Sequence, residues 1–224
     1  RRTAELHRVL ATPTDDPDFA IEEVTRDDVA GWAREAAGDL ATMFDRLGAS
    51  LPNLPQPMRE AASEMLDRRV LLSERVERLA DQIPSGERSR IHGDYHLGQV
   101  LVAQGDLMII DFEGEPRRTI DQRRAKSSPL RDVAGMIRSL HYAASTVIER
   151  GPRTGSVIEE AAVRRLAAWR TSNVEQFLDA YRQGMADCPT LPGDPEFADA
   201  LLDMFVIQKA AYEDAYELAN RPGW

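Results

Sequence analysis

The sequence predicts a mainly α-helical domain with one small β-hairpin, an α+β fold in which helices dominate. Three observations carry this. Apolar residues recur at helical spacing over much of the chain, for example at Val133, Ile137, Leu140 and Ala144. Two short β-type runs joined by a Gly-containing connection occupy residues 100–110. Pro- and Gly-bearing stretches at 51–57, 84–86 and 188–195 punctuate the helical pattern.

The elements follow in order. Residues 1–11, RRTAELHRVLA, read as a helix with Leu6, Val9 and Leu10 on its apolar face and no capping residue before it. Residues 12–25 read as a loop. Asp27 and Asp28 are expected to cap a helix running through Val29, Trp32, Ala36, Leu40 and Phe44. LPNLPQP at 51–57 is a turn. A single amphipathic helix is then expected from Met58 to Ile83, with Ala62, Met65, Leu66, Leu72, Val76 and Leu79 as its stripe. Pro84-Ser85-Gly86 ends it. VLVA at 100–103, QGD at 104–106 and LMII at 107–110 make the hairpin, with Asp111 at the end of its second strand. Residues 115–128 read as an Arg-rich loop, and Pro129 opens a helix from Leu130 to about Ile148. Two or three further helices fill 156–187 and 195–220. A lone hairpin is marginal in water, so this one must lie against helices.

Composition narrows the function classes. With 224 residues, the chain can bury one sizeable core. Its formal net charge of −10 repels a nucleic-acid backbone but not a sugar, nor a nucleotide that arrives with Mg²⁺. No run reaches the roughly 18 apolar residues of a membrane span, and no secretory signal opens the chain. Cys188 is the sole cysteine, which excludes an internal disulfide and suits a reducing, cytoplasmic setting. No nucleic-acid or membrane partner is expected.

The chemistry concentrates in residues 92–114, HGDYHLGQVLVAQGDLMIIDFEG. Phosphoryl transfer from ATP needs a carboxylate to take the proton of the attacking hydroxyl, and hard oxygen ligands to hold Mg²⁺ on the phosphates. Asp94 stands in a tight loop that Gly93 lets turn. Gln99, five residues on, offers an amide oxygen, and Asp111 offers a carboxylate that the hairpin folds back. The spacing reproduces the kinase pattern H-x-D-x-x-x-x-N followed by D-F-G, with Gln in place of Asn. Each residue alone reads more often as an ordinary turn, surface or strand-end residue; their coincidence makes the kinase reading. His92 is expected to brace the turn. His96 faces either the site or its own loop. Glu113 is either a further group near the metal or a solvated acid.

These residues resemble the aminoglycoside phosphotransferase and choline kinase superfamily, whose members share the two-lobed protein-kinase-like fold. HGDYHLGQVL, IDFEGEP and SPLRDVAGMIRSLHYA look like maltokinases, found alone or fused to trehalose synthase; Gln99 is the sharpest marker. The similarity extends to the opening RRTAELH and the closing KAAYEDAYELANRPGW. The resemblance implies that residues 1–224 form the C-terminal catalytic lobe of a protein-kinase-like fold. It implies ATP-dependent phosphorylation of maltose at its anomeric hydroxyl, with Asp94 as catalytic base and Gln99 and Asp111 as Mg²⁺ ligands. It also admits a fused or associated trehalose synthase.

Family members bind the sugar in the helical lobe. On the closing helix Lys209, Tyr212, Glu213 and Tyr216 fall at i, i+3, i+4 and i+7 and share one face. They either line a disaccharide or place two tyrosines in the core beside a surface Lys–Glu pair. Arg117, Arg118, Arg123, Arg124 and Lys126 either screen phosphate charge or form a solvated loop. No G-x-G-x-x-G and no Walker-type GK pair is present, and lysine occurs only at 126 and 209. The N-terminal ATP-binding lobe is therefore expected to be absent from this chain, which should turn over little alone. Two alternatives stand beside the maltokinase reading. One is another acceptor, such as an aminoglycoside; the other is a non-catalytic sugar-binding module of the same fold.

Overall fold

A computed structural model describes residues 1–150 and 160–220. Its elements in chain order are helix α1 (Arg2–Leu10), the two-residue strand β1 (Glu22–Glu23), α2 (Arg26–Ser50), α3 (Gln56–Asp67), α4 (Arg69–Glu77), the two-residue strand β2 (Glu87–Arg88), hairpin strands β3 (Val100–Ala103) and β4 (Asp106–Ile109), then α5 (Ile120–Arg124), α6 (Leu130–Arg150), α7 (Glu160–Gly184) and α8 (Pro195–Asn220). The fold class is the one the sequence predicts, mainly helical with a small hairpin. Among the described residues no helix is long and apolar enough to cross a membrane.

The chain divides into two compact units. The first comprises Arg1–Glu22 and Glu87–Leu191, the second Glu23–Gly86 and Pro192–Trp224. In the second, α2 packs along α8. Val29, Trp32, Ala33, Ala36, Leu40, Met43 and Phe44 form the buried face of α2, and the Trp32 and Phe205 rings lie 5.7 Å apart. Gln208 donates to Asp39 at 2.9 Å, so the seam carries a polar pair as well. Thr25, not Asp27, caps α2. Its hydroxyl accepts from the Asp28 amide at 3.2 Å while the Asp28 carboxylate accepts from the Thr25 amide at 2.9 Å, a capping box.

The expected single helix 58–83 is two helices and a 3₁₀ turn at Arg78–Asp81. Its apolar stripe loses phase after Leu66. The next turn would place an apolar contact at 69 or 70, but Arg69 occupies the first and Val70 is 67% exposed. The chain restarts after Arg68, and the residues it then buries are Val76 and Leu79.

In the first unit the expected apolar face of α1 is not the buried one. Val9 is 70% exposed, whereas Thr3, Ala4 and His7 are buried. The hairpin turn is also tighter than expected. Val100 pairs with Ile109 and Ala103 with Asp106, leaving two connecting residues. Both adopt left-handed backbone, Gln104 at φ 52° and Gly105 at φ 77°, the geometry whose twist matches a hairpin. The Arg-rich loop holds the short helix α5, whose capping box joins Thr119 and Gln122.

Candidate functional site

The site is built in the first unit by loop 92–99, the end of the hairpin, and α6 beneath them. Loop 92–99 has little regular structure of its own, so its amides need partners elsewhere. α6 supplies them along one face. The Asp132 carboxylate accepts from the His92 amide at 2.7 Å and from the Gly93 amide at 2.9 Å. One turn on, Gly135 lies against the Tyr95 carbonyl, so close that a Cβ would stand 2.5 Å from that oxygen. A further turn on, the Ser139 hydroxyl accepts from the Leu97 amide at 3.0 Å. Asp132, Gly135 and Ser139 thus form a polar and small stripe at helical spacing, beside the apolar Val133, Ala134 and Ile137.

His92 is 1% exposed and ties the loop to the hairpin. Its Nε2 donates to the Ile110 carbonyl at 2.8 Å, and its Nδ1 accepts from the Asp94 amide at 3.4 Å. Its ring packs on Phe112 at 4.9 Å and Tyr95 at 5.4 Å. Gly93 turns the chain at φ 84°, a backbone that strains any residue with a Cβ, and a Cβ there would touch the Gly114 backbone. The Asp94 carboxylate lies 3.9 Å from His96 Nε2. His96 turns inward on its own loop, with Nδ1 accepting from the Gly98 amide at 3.0 Å. A Cβ on Gly98 would sit 2.7 Å from the His96 ring, so the ring would have to shift.

Gln99 and Asp111 meet. The Gln99 amide nitrogen donates to Asp111 Oδ2 at 3.0 Å, and the Ile110 amide donates to the Gln99 carbonyl at 3.0 Å. Asp111 holds a left-handed backbone at φ 65°, a conformation that costs a non-glycine residue energy and that tends to occur at working sites. Among the described residues no group of three His, Cys, Asp or Glu is placed to hold a metal by itself. The pair fits Mg²⁺, which takes one or two protein oxygens and completes its octahedron with phosphate and water. The amide oxygen of Gln99 and the second oxygen of Asp111 would be its protein donors.

The remaining sequence candidates fall in several places. Glu113 is exposed, and its carbonyl accepts from Arg123 at 3.3 Å while the Arg123 stem covers Gly114. Lys126 is committed elsewhere. Its ammonium donates to the Pro17 carbonyl at 2.7 Å and pairs with Glu22, and this pairing holds the Glu22 carboxyl below its ordinary range. Lys209, Tyr212, Glu213 and Tyr216 lie on α8 in the second unit, all half-buried, with the Lys209 ammonium 5.5 Å from the centre of the Tyr212 ring. The tyrosines are therefore not fully buried core residues. Sequence reading missed the α6 stripe and the buried face of α1. Asp, Gly and Ser recurring at helical spacing inside an apolar helix was the available signal.

A helical domain carrying an aspartate loop and a hairpin whose two ends are closed by an amide–carboxylate pair is the fold of the kinase-like phosphotransferases. Solved structures share the fold. Glucosamine kinase in complex with glucosamine, ADP and inorganic phosphate superposes with a TM-score of 0.74 at 28% identity, over 99% of this chain and 49% of that one. Its crystal form B gives the same TM-score over 47% of its length. Among curated sequences, glucosamine kinase of Streptacidiphilus jiangxiensis is 31% identical over 223 residues, which is 99% of this chain and 44% of the relative. That of Mycolicibacterium smegmatis is 32% identical over 133 residues. The chain thus spans less than half the length of the curated relatives it matches. A model of the phosphotransferase enzyme family matches residues 2–114, and the chain belongs to that family.

Proposed function

We propose that this chain carries the catalytic centre of an ATP-dependent sugar kinase, with glucosamine as the first acceptor to consider. The observation that carries the reading is the meeting of Gln99 and Asp111 beside the His92-braced loop of Asp94. Glucosamine comes from the named relatives, and an ammonium-bearing sugar suits a chain of net charge −10. Maltose is the second reading, favoured by HGDYHLGQVL and the closing-helix segment; an associated trehalose synthase belongs to that reading alone.

Asp94 accepts the proton as a sugar hydroxyl attacks the γ-phosphorus. The new O–P bond forms while the bond to the ADP oxygen breaks, and the proton remains on the Asp94 carboxyl. Gln99 and Asp111 would hold Mg²⁺, which would supply positive charge to offset that of the phosphates. His92 and Asp132 keep the Asp94 loop from drifting relative to the hairpin. Lys209, Tyr212, Glu213 and Tyr216 are the candidate sugar contacts, since ring faces stack on tyrosine and hydroxyls need donors and acceptors.

The test is ADP release by the full-length protein with MgATP and a panel of glucosamine, maltose, glucose and an aminoglycoside. Glucosamine should give the largest kcat/KM. Preference for maltose would move the assignment to the second reading, and turnover with none would remove it. Asp94→Asn should lower kcat by about 10³-fold or more, with the urea midpoint unchanged. Retained kcat would remove Asp94 from the role of base.

A further inference from the structure

The opening segment RRTAELH has no task in the reading above, yet its buried face touches the site from below. Thr3 meets loop 92–99, Ala4 meets α7, and His7 meets both α6 and α7. The Thr3 hydroxyl lies 2.9 Å from the Tyr95 hydroxyl, both buried. Ala4 faces Gly184 at the end of α7, where a Cβ would come within 2.6 Å of it. His7, 1% exposed, stands between a carboxylate and a phenol: Nε2 is 3.1 Å from Asp132 Oδ2 and Nδ1 is 2.9 Å from the Tyr181 hydroxyl. Arg2 adds a fourth contact by clasping Asp106 at the start of β4.

The arrangement sets the ring's orientation. The Asp132 carboxylate oxygen accepts, so the ring nitrogen facing it, Nε2, is the donor of that pair, while the Tyr181 hydroxyl, able to donate or accept, meets Nδ1. Burial, with the Asp132 charge adding to it, pushes the Tyr181 hydroxyl well above its ordinary range. Asp132 Oδ2 then receives two donors, the His7 ring and the His92 amide, while Oδ1 receives the Gly93 amide. The carboxylate that orders the Asp94 loop is itself fixed by His7.

We propose that α1 latches the catalytic loop, with His7 and Thr3 as positioning residues for phosphoryl transfer. His7 locks the carboxylate of Asp132 that holds the His92 and Gly93 amides, and Thr3 pins Tyr95 in the same loop. This rests on the kinase reading for its rate effect but not for its structural effect. A displacement of about 1 Å in a reacting group can cost about 10²-fold in rate.

The test uses the full-length protein with MgATP and its preferred sugar. His7→Leu should lower kcat by about 10–100-fold, and Tyr181→Phe and Thr3→Val by about three- to tenfold, with KM for sugar and ATP within about twofold. His7→Gln, which keeps a donor near the Nε2 position, should recover most of the loss. Hydrogen exchange at the His92 and Gly93 amides should quicken in the same order, read at equal distance from the urea midpoint. Should His7→Leu fail to fold, Tyr181→Phe and Thr3→Val decide. Unchanged exchange at residues 92–93 in those variants overturns the latch, as does a loss that falls on KM instead of kcat. If the wild type phosphorylates no sugar, the kinase reading fails, and the exchange result still decides the latch.

Discussion

Replacing Gly135 with alanine sets two physical effects against each other, and their magnitudes decide the outcome. Glycine inside a helix costs about 0.5–1 kcal/mol relative to alanine. The change would therefore stabilise α6 if nothing stood in the way. At Gly135 the new Cβ would lie 2.5 Å from the Tyr95 carbonyl oxygen, where an ordinary contact begins near 3.4 Å. Helix and loop must part by about 0.9 Å, and neither atom belongs to a side chain that can swing aside. Overpacking of this kind costs about 1–3 kcal/mol, which exceeds the helix gain. Asp132 and Ser139 bond the same loop on either side of the intrusion, so the shift reaches Asp94. We expect Gly135→Ala to lose roughly 1–2 kcal/mol by urea unfolding and about 10²-fold in kcat. Gly38→Ala in α2, where nothing lies within 4 Å of the new methyl, is the control; it should gain about 0.5–1 kcal/mol at unchanged kcat. If Gly135→Ala raised the urea midpoint as much as the control and left kcat intact, the close approach between α6 and the loop would be wrong.

Other outcomes follow from the same geometry. Asp111→Asn should raise the Mg²⁺ concentration needed for half-maximal rate by about tenfold or more, while Glu113→Gln should not; equal effects would separate metal binding from Asp111. Tyr216→Ala should raise KM for the sugar by about tenfold with a smaller effect on kcat, and an unchanged KM would clear α8 of sugar contact. Tyr95 and Tyr181 both titrate above the ordinary 10.0 because burial disfavours their charged forms. A raised folded value means the folded state holds its proton longer than the unfolded chain. The stabilisation is therefore complete below about pH 10 and is lost as pH rises beyond it. Urea midpoints between about pH 9 and 11.5 should fall less steeply for Tyr181→Phe than for the wild type.

Much of this was legible in the sequence, because some signals are local. Two short β-type runs around Gln104-Gly105 can scarcely be anything but a hairpin, and the hairpin forces Asp111 back toward Gln99. The capping box of Thr25 and Asp28 is written in four residues, though the cap was expected at the acids. What escaped was decided at a distance. The face of α1 that would be buried could not be read from α1, since Leu6, Val9 and Leu10 are the more apolar set. His7 is inside because Asp132, 125 residues away, supplies a carboxylate to receive it. Asp132 was passed over for the converse reason: an aspartate early in a helix reads as a dipole partner, and its two amide donors lie 39 and 40 residues upstream. The break at Arg68 was visible only as an interruption of the apolar stripe, with no Gly or Pro to mark it.

The left-handed backbone of Asp111 separates what folding wants there from what chemistry wants. At φ 65° glycine would relax the chain and asparagine would sit almost as easily. A duplicate gene released from its task would drift to either residue without harm to the protein's solubility or lifetime. On the proposal that Asp111 holds Mg²⁺, purifying pressure on that one carboxylate would report enzymatic use more than folding, and its loss in a sister lineage would mark a silenced copy long before the fold showed any damage.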